Sequence, residues 1–402
     1  MQSTTNSSTP SMAVMYAFYP MVIIAGFVQL LAPSTIHMIM KHFNLKAGTV
    51  GIIPLIYFTG MMISAVVITH LIKKLSVKQL MSSGAIIVSV SLLAASQSHS
   101  YFIFALLFFL TGFGNGIMII LPGIYATNQY SEKSAQLQSI IFSFIALGFV
   151  VGPVFPGIVS YLQLSWRWCF AFPGLLILPG IIPIILAKHE PIDHTEKLTF
   201  RIVKEIISFD RKFFFLIVIA VIIAAGSSTG LLTWLVTFLE IKRGTPLGMA
   251  HVVLATLGVA SVAGRLIWGR VSSKITVYHT LLFIVPISAA LVFFAPLPET
   301  TIVNIILFFI ATIFLSGINP LFLSAASVYP KSLSSSAYTV LFISISIGGM
   351  LIPFGIGQVF QYAGAEVAIS SISILLVIVI GALLLVKKEI PVIKHLHQNP
   401  LP

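Results

Sequence analysis

The chain runs to 402 residues, of which 58% are hydrophobic and only 8% charged, with a mean hydropathy of +1.07. A soluble domain carries about a quarter charged residues, so water is excluded as the main solvent. The excess of Lys and Arg over Asp and Glu, 22 against 10, then reads as positive loops that orient membrane helices, not as a nucleic-acid surface.

The N-terminus, MQSTTNSSTPSM, has no Lys or Arg ahead of the first apolar run. A cleavable secretory signal normally shows such residues, so the first span is expected to be retained. Apolar stretches of about 20 residues, long enough to cross a ~30 Å hydrocarbon layer, then follow one another along the chain. They predict six spans over 16–39, 50–71, 80–97, 101–127, 137–162 and 168–187. Six more are predicted over 213–239, 248–269, 280–297, 302–328, 336–361 and 366–386. The fold class is therefore an all-α membrane protein of twelve transmembrane helices.

Between the sixth and seventh spans, residues 188–212 hold five of the ten acidic residues, Glu190, Asp193, Glu196, Glu205 and Asp210. This stretch reads as a solvated cytoplasmic linker with a short interfacial helix at 199–208. It divides the chain into an N-terminal six-helix bundle, 1–187, and a C-terminal one, 213–387, with 388–402 as a cytoplasmic tail. Counting Lys and Arg by side with the N-terminus inside places 17 within and 5 without, so both termini are expected in the cytoplasm. Short loops point to a bacterial inner membrane and a multi-pass monomer. The single Cys169 cannot form an intrachain disulfide and is expected to be a buried structural thiol. No Cys/His cluster offers a metal site, and no cofactor is expected.

Sliding the chain against itself by 200 residues uncovers a repeat. Gly26 falls on Gly226, Gly48 on Gly248, Lys74 on Lys274, Val77 on Val277, Gly148 on Gly348, Pro153 on Pro353 and Gly157 on Gly357. The shared offset, half the length of the chain, predicts two pseudo-symmetric six-helix bundles, the arrangement with which transporters alternate access around a midplane site.

Three segments carry a family resemblance: GFVVGPVFPG at 148–157, SWRWCF at 165–170 and AGRLIWGRVSSKI at 263–275. On these, the chain resembles the major facilitator superfamily over essentially its whole length. The first segment is similar to the fifth-span motif of that family's antiporters. Its residues Gly148, Gly152, Pro153 and Gly157, with Gly348, Pro353 and Gly357 in the repeat, are then gating or packing positions. The third is similar to the loop between spans 8 and 9, which implies a gate-loop role for Arg265. In the family's anion-carrying branches an arginine in this span binds substrate, because guanidinium suits carboxylate and phosphate. In the first half the equivalent stretch, 64–78, carries no Asp.

All ten acids lie outside the spans or at their ends, so the membrane core is expected to hold no carboxylate. This argues against acid-driven antiport of cationic drugs and leaves neutral or anionic solutes, facilitated transport, or coupling through histidine. His37, late in the first span, is the titratable candidate for coupling; the alternative is an interfacial imidazole. Glu240 faces the same choice, as a coupling group or an interfacial carboxylate near Lys242 and Arg243. Uncharged polar residues are better candidates for lining a cavity. Gln29, Asn115, Ser227, Ser228, Thr229 and Asn319 fall in spans that line the family's central cavity, and Asn319 precedes the helix-breaking Pro320. Tyr57, Phe58, Tyr125, Phe144, Trp234 and Phe342 could form an aromatic wall, with Trp234 favoured for lying inside its span.

The expected function is secondary transport of a small molecule by alternating access, with protons as the candidate coupling ion. Efflux of an amphipathic or weakly charged metabolite stands ahead of uptake of a small organic solute, such as an organic anion or a sugar. Neither HExxH nor a pair of intramembrane acids occurs, so a membrane-embedded enzyme is not expected. A transporter-like sensor would need an output module larger than the linker or the tail.

Overall fold

A computed structural model describes residues 13–130, 134–186 and 198–386. The acidic residues Glu132, Glu190, Asp193, Glu196 and Glu389 lie outside these, as do residues 188–197 of the expected linker and the whole tail. The described residues form helices and no strands, with twelve long and apolar enough to cross a membrane. Lipid cannot hydrogen-bond a bare backbone, so helices that satisfy their own N–H and C=O groups are the economical way through.

The first six spans are Ala13–Phe43, Ile52–Leu71, Val77–Ser96, Tyr101–Gln129, Ser134–Tyr161 and Trp168–Leu186. Spans 7 to 9 are Arg211–Arg243, Leu247–Lys274 and Val277–Phe294. Span 10 comprises Thr301–Ser316 and Ile318–Ser324, interrupted where Pro320 removes an N–H and crowds the preceding turn. Spans 11 and 12 are Lys331–Ala363 and Ala365–Val386. Successive spans alternate in direction, so Ala13 and Val386 lie at one face, called terminal here; the opposite face is distal.

Local chemistry sets the span ends. Ser76 and Gln79 form a reciprocal capping box at the start of span 3. The Asp210 carboxylate accepts from the Phe213 N–H at 2.9 Å, which starts span 7 two residues ahead of the hydropathy boundary. Gly244, at φ 63°, ends that span in the left-handed conformation. Span 9 begins at Val277 because the Thr276 hydroxyl accepts from the His279 N–H, capping a polar turn that hydropathy alone leaves out. The short helix expected before span 7 is Phe200–Phe209, with Ile202 and Ile206 buried against the bundle. Its Phe209 packs on Tyr329, whose hydroxyl is pushed up to about 12 by burial and the nearby Asp210, so the ring stays neutral.

The repeat read from the sequence is a structural one. Spans 1 and 5 pack together within the first half, as spans 7 and 11 do within the second. Between the halves, span 5 packs on span 8 and span 11 on span 2, a reciprocal pair of the kind a pseudo-twofold axis generates. Gly148 and Gly348 stand at the equivalent within-half crossings: a methyl group on either would overlap the carbonyl of Ile23 or of Ile222. Small residues here let two backbones touch, which in a membrane replaces the hydrophobic drive to associate.

Gly148→Val and Gly348→Val are each expected to lower the melting temperature in detergent by several degrees, as overpacking of roughly 1–3 kcal/mol does. Gly381→Val, in open space on span 12, should leave it unchanged. Equal melting of all three variants would contradict the tight crossings.

Candidate functional site

The two halves enclose a cavity of about 80 Å³, room for a handful of waters or one small solute. Its wall is mostly apolar, with Tyr57, Phe58, Phe142, Phe149 and Phe342 among its residues. Its polar groups come from both halves. Span 1 contributes Gln29, and Pro33 beside it withholds the N–H that the Gln29 carbonyl would otherwise accept. Ser228, Thr229 and Thr233 come from span 7, and Thr312, Ser316 and Asn319 from span 10.

Most of these hydroxyls donate to their own helix: Ser228 to the Ala224 carbonyl at 3.1 Å, Thr229 to Ala225 at 2.9 Å and Thr312 to Phe308 at 2.8 Å. With their protons committed, they offer lone pairs to the cavity. Donors are scarcer. Tyr57 accepts from the Asn115 amide, which leaves its own O–H available, and the same amide bonds the Ala25 carbonyl at 3.0 Å. Asn115 therefore stands behind the wall and positions Tyr57.

Arg265 lines the cavity and is buried. One of its terminal nitrogens donates to the Phe142 carbonyl, and the guanidinium sits 5.7 Å from the Phe142 ring centre and 5.3 Å from that of Phe149. Its Nε is buried with no hydrogen-bond partner. Among the described residues no carboxylate pairs with it. Two ring faces contribute roughly 1–2 kcal/mol each at a desolvated cation, against a desolvation penalty of several kcal/mol. Nearby, the Asn319 Oδ1 is also buried without a partner. An empty donor and an empty acceptor thus share one cavity.

Of the residues singled out for binding, Gln29, Ser228, Thr229 and Asn319 line the cavity, whereas Asn115, Ser227 and Trp234 do not. Ser227 is buried in span 7 with its hydroxyl unpartnered. The Trp234 indole donates to the Pro353 carbonyl at 2.8 Å and stacks on Phe360, which makes it a strut between spans 7 and 11. Gly357 gives that indole its room. Gly152 packs toward Leu30 and Phe27 of span 1, near Pro153. Arg265 stands in the cavity wall, while Arg270 and Lys274 lie further along span 8 toward the terminal face.

The halves also meet on both sides of the cavity. Toward the terminal face, Tyr338 of span 11 reaches Gln138 of span 5 at 3.2 Å. Toward the distal face, His37 Nδ1 and a Glu240 carboxylate oxygen stand 3.0 Å apart between spans 1 and 7, a contact that becomes an ion pair when the imidazole carries a proton. Lys242 and Arg243 turn away to Glu366 at 3.4 and 3.0 Å, so Glu240 has a different partner from the one its sequence neighbours suggest. Lys242, two residues on, does not share the face of Glu240, and Arg243 is also held by Asn304 and the Pro296 carbonyl. Gly48 meets Gln361 at 3.0 Å on the same side. His251 joins these distal contacts and lies 3.4 Å from the place a Cβ on Gly157 would take. The sequence reading passed it over, since its partners are backbone carbonyls that leave no motif.

The family model of the Major Facilitator Superfamily matches residues 18–353. The chain is similar to an uncharacterized MFS-type transporter, YtbD, of Bacillus subtilis, 22% identical over 62% of each chain. It is also similar to a TsgA homolog of Yersinia enterocolitica, 23% identical over 38% of this chain and 39% of that one. The matches therefore span less than two thirds of these relatives. Among solved structures, a bacterial homolog of the human lysosomal transporter Spinster, inward-facing, superposes with a TM-score of 0.75 at 15% identity, covering 93% of this chain and 96% of that one. The Escherichia coli fucose:proton symporter FucP gives 0.68 at 17% identity, covering 93% and 97%. These likenesses show the fold.

Trp234→Phe keeps the stacking and loses one buried hydrogen bond, so stability should fall by about 1 kcal/mol. Solute uptake into vesicles, corrected for protein amount, should stay within about twofold, since a lost strut bond is expected to act on stability. Loss of uptake with unchanged stability would instead make Trp234 a binding residue.

Proposed function

The chain belongs to the Major Facilitator Superfamily, and we propose that it carries a small organic anion across the membrane by alternating access, with Arg265 as the anion's partner. The observation that supports this reading is the buried guanidinium with an idle Nε in the cavity between the halves. A carboxylate or phosphate oxygen would complete its hydrogen bonding and neutralise its charge together. The idle Asn319 Oδ1 asks for a donor, which suits a solute that joins its acidic group to a hydroxyl or an amine. Phe142, Phe149 and Phe342 would cover the apolar remainder.

This chemistry favours the organic-anion alternative over the weakly charged metabolite suggested by the fifth-span motif. Contacts between the halves on both sides of the cavity support a carrier in which one set releases while the other holds. The bias of Lys and Arg supports a terminal face in the cytoplasm of a bacterial inner membrane. Direction then follows the gradients of the solute and of any coupled ion.

Thermal stabilisation of the purified protein by a probe panel tests the reading: lactate, gluconate, citrate and glycerol phosphate against glucose and tetraphenylphosphonium. At least one anion should raise the melting temperature and the neutral and cationic probes should not. Arg265→Gln should weaken that anion's binding by roughly 10- to 100-fold, the worth of a charge-assisted hydrogen bond. Arg265→Lys should recover only part, because an ammonium lacks the planar fork. Stabilisation by glucose or by the cation, equal in wild type and Arg265→Gln, would overturn the reading.

A further inference from the structure

We propose that His251 is a proton-binding site and that the proton it holds closes the distal face. The ring lies one turn inside the distal end of span 8 and is only 1% exposed. Its Nδ1 stands 2.8 Å from the Leu247 carbonyl oxygen, and its Nε2 stands 2.6 Å from the Ser34 carbonyl oxygen of span 1. Both partners can only accept. A neutral imidazole has one N–H, so it serves one carbonyl and turns a lone pair on the other. Only the imidazolium, with two N–H groups, bonds both.

The two bonds differ in what they hold. The one to Leu247 stays within span 8, whereas the one to Ser34 joins the C-terminal half to the N-terminal half. A neutral ring with its N–H on Nδ1 sets a lone pair against the Ser34 oxygen and the halves separate there, and one with its N–H on Nε2 sets the lone pair against Leu247, so the closed arrangement with both bonds made belongs to the imidazolium. Facing the ring are the two carbonyl oxygens and one carboxylate. That carboxylate is Glu240 of span 7, 3.0 Å from His37 of span 1; Glu240 attracts a proton on His251, and a charged His37 repels it. Spans 5 and 10 pack on span 8 and carry no charged residue in their helices. Span 9 carries only Tyr278 and His279 as titratable groups, at the terminal end. Two imidazoles and one carboxylate therefore make up the cluster, about 15 Å along the helix from the cavity residue Ser261 at 1.5 Å per residue. A proton can reach it from the distal side when that face is open, without passing Arg265.

The consequence for transport rests on the alternating-access reading, so the test reads conformation and protonation, not flux. Spin labels at Gln163→Cys and Glu299→Cys, in a Cys169→Ser background of the full chain, report the separation of the halves at the distal face. Between about pH 5.5 and about pH 8.5, on either side of the ordinary imidazole range, the closed-to-open ratio should fall by roughly tenfold per pH unit through the transition, the slope one proton imposes. His251→Gln, which keeps one donor for Ser34 and has no proton to lose, should show a pH-independent ratio. His37→Gln should keep the transition. A wild type that does not respond, one that opens in acid, or a His251→Gln variant that follows the wild-type curve overturns the proposal. If His251→Gln does not fold, the ¹⁵N spectrum of histidine-labelled wild type decides. A doubly protonated ring that titrates with the distance change supports the site, and ten neutral rings while the closed population persists overturn it. Closure by acid in a protein that binds no anion would leave this site standing while the anion reading fails.

Discussion

Hydrocarbon offers no hydrogen bonds, so each polar group in a span must find its partner inside the protein. That constraint organises the whole molecule. It makes the spans helical, and it turns serine and threonine hydroxyls back onto carbonyls one turn away, as at Thr229, Thr312 and Ser346. It gives the Trp234 indole the carbonyl of Pro353 and the Asn115 amide the carbonyl of Ala25. Against so thorough a pairing the exceptions stand out, and two of them, the Arg265 Nε and the Asn319 Oδ1, share the cavity between the halves. A transported solute can supply what the protein withholds. Because that solute leaves, the protein must tolerate an empty site, and the aromatic faces of Phe142 and Phe149 hold the guanidinium meanwhile.

The same constraint bears on how the halves move. Within each half the crossings are backbone against backbone, through Gly148 and Gly348, and leave no slack. Between the halves spans 5 and 8 also cross closely, at Gly258 against the Phe149–Val150 backbone, and polar ties stand toward either face: Gln138 with Tyr338 on one side, His37 with Glu240 and His251 with Ser34 on the other. Polar ties of this kind can be exchanged for water when a face opens, while the glycine crossings inside each half stay packed. Two rigid bodies with exchangeable locks are the mechanical requirement of alternating access, and span 5 pairs with span 8 as span 11 does with span 2.

Much of this was legible in the residues. Hydropathy and span length were enough for the twelve helices, because a membrane leaves few alternatives. The 200-residue offset between Gly148 and Gly348 exposed the duplication. Span ends set by side-chain caps, such as Asp210 and Thr276, were not legible to hydropathy. The cavity was legible by helix but not by helix face. Ser227, Ser228 and Thr229 are equivalent to a hydropathy scale, yet the turn of span 7 presents the last two to the cavity and buries the first. Trp234 is a related case: a tryptophan far from the interface needs a partner for its N–H, and that partner can be a neighbouring helix as well as a solute. Arg265 looked like part of a loop pattern, and only its depth and its want of a carboxylate distinguish it from Arg270.

The central claim is that the two unpaired polar groups of the cavity, the Arg265 Nε and the Asn319 Oδ1, mark where the solute sits. A cryo-EM map of the protein with the most strongly stabilising anion tests it most directly. The expected result is density between the halves, with an acidic oxygen in hydrogen-bonding reach of the Arg265 guanidinium and a donor facing Asn319. Density for the anion at another place, with Arg265 still resting on Phe142 and Phe149 alone, would contradict it.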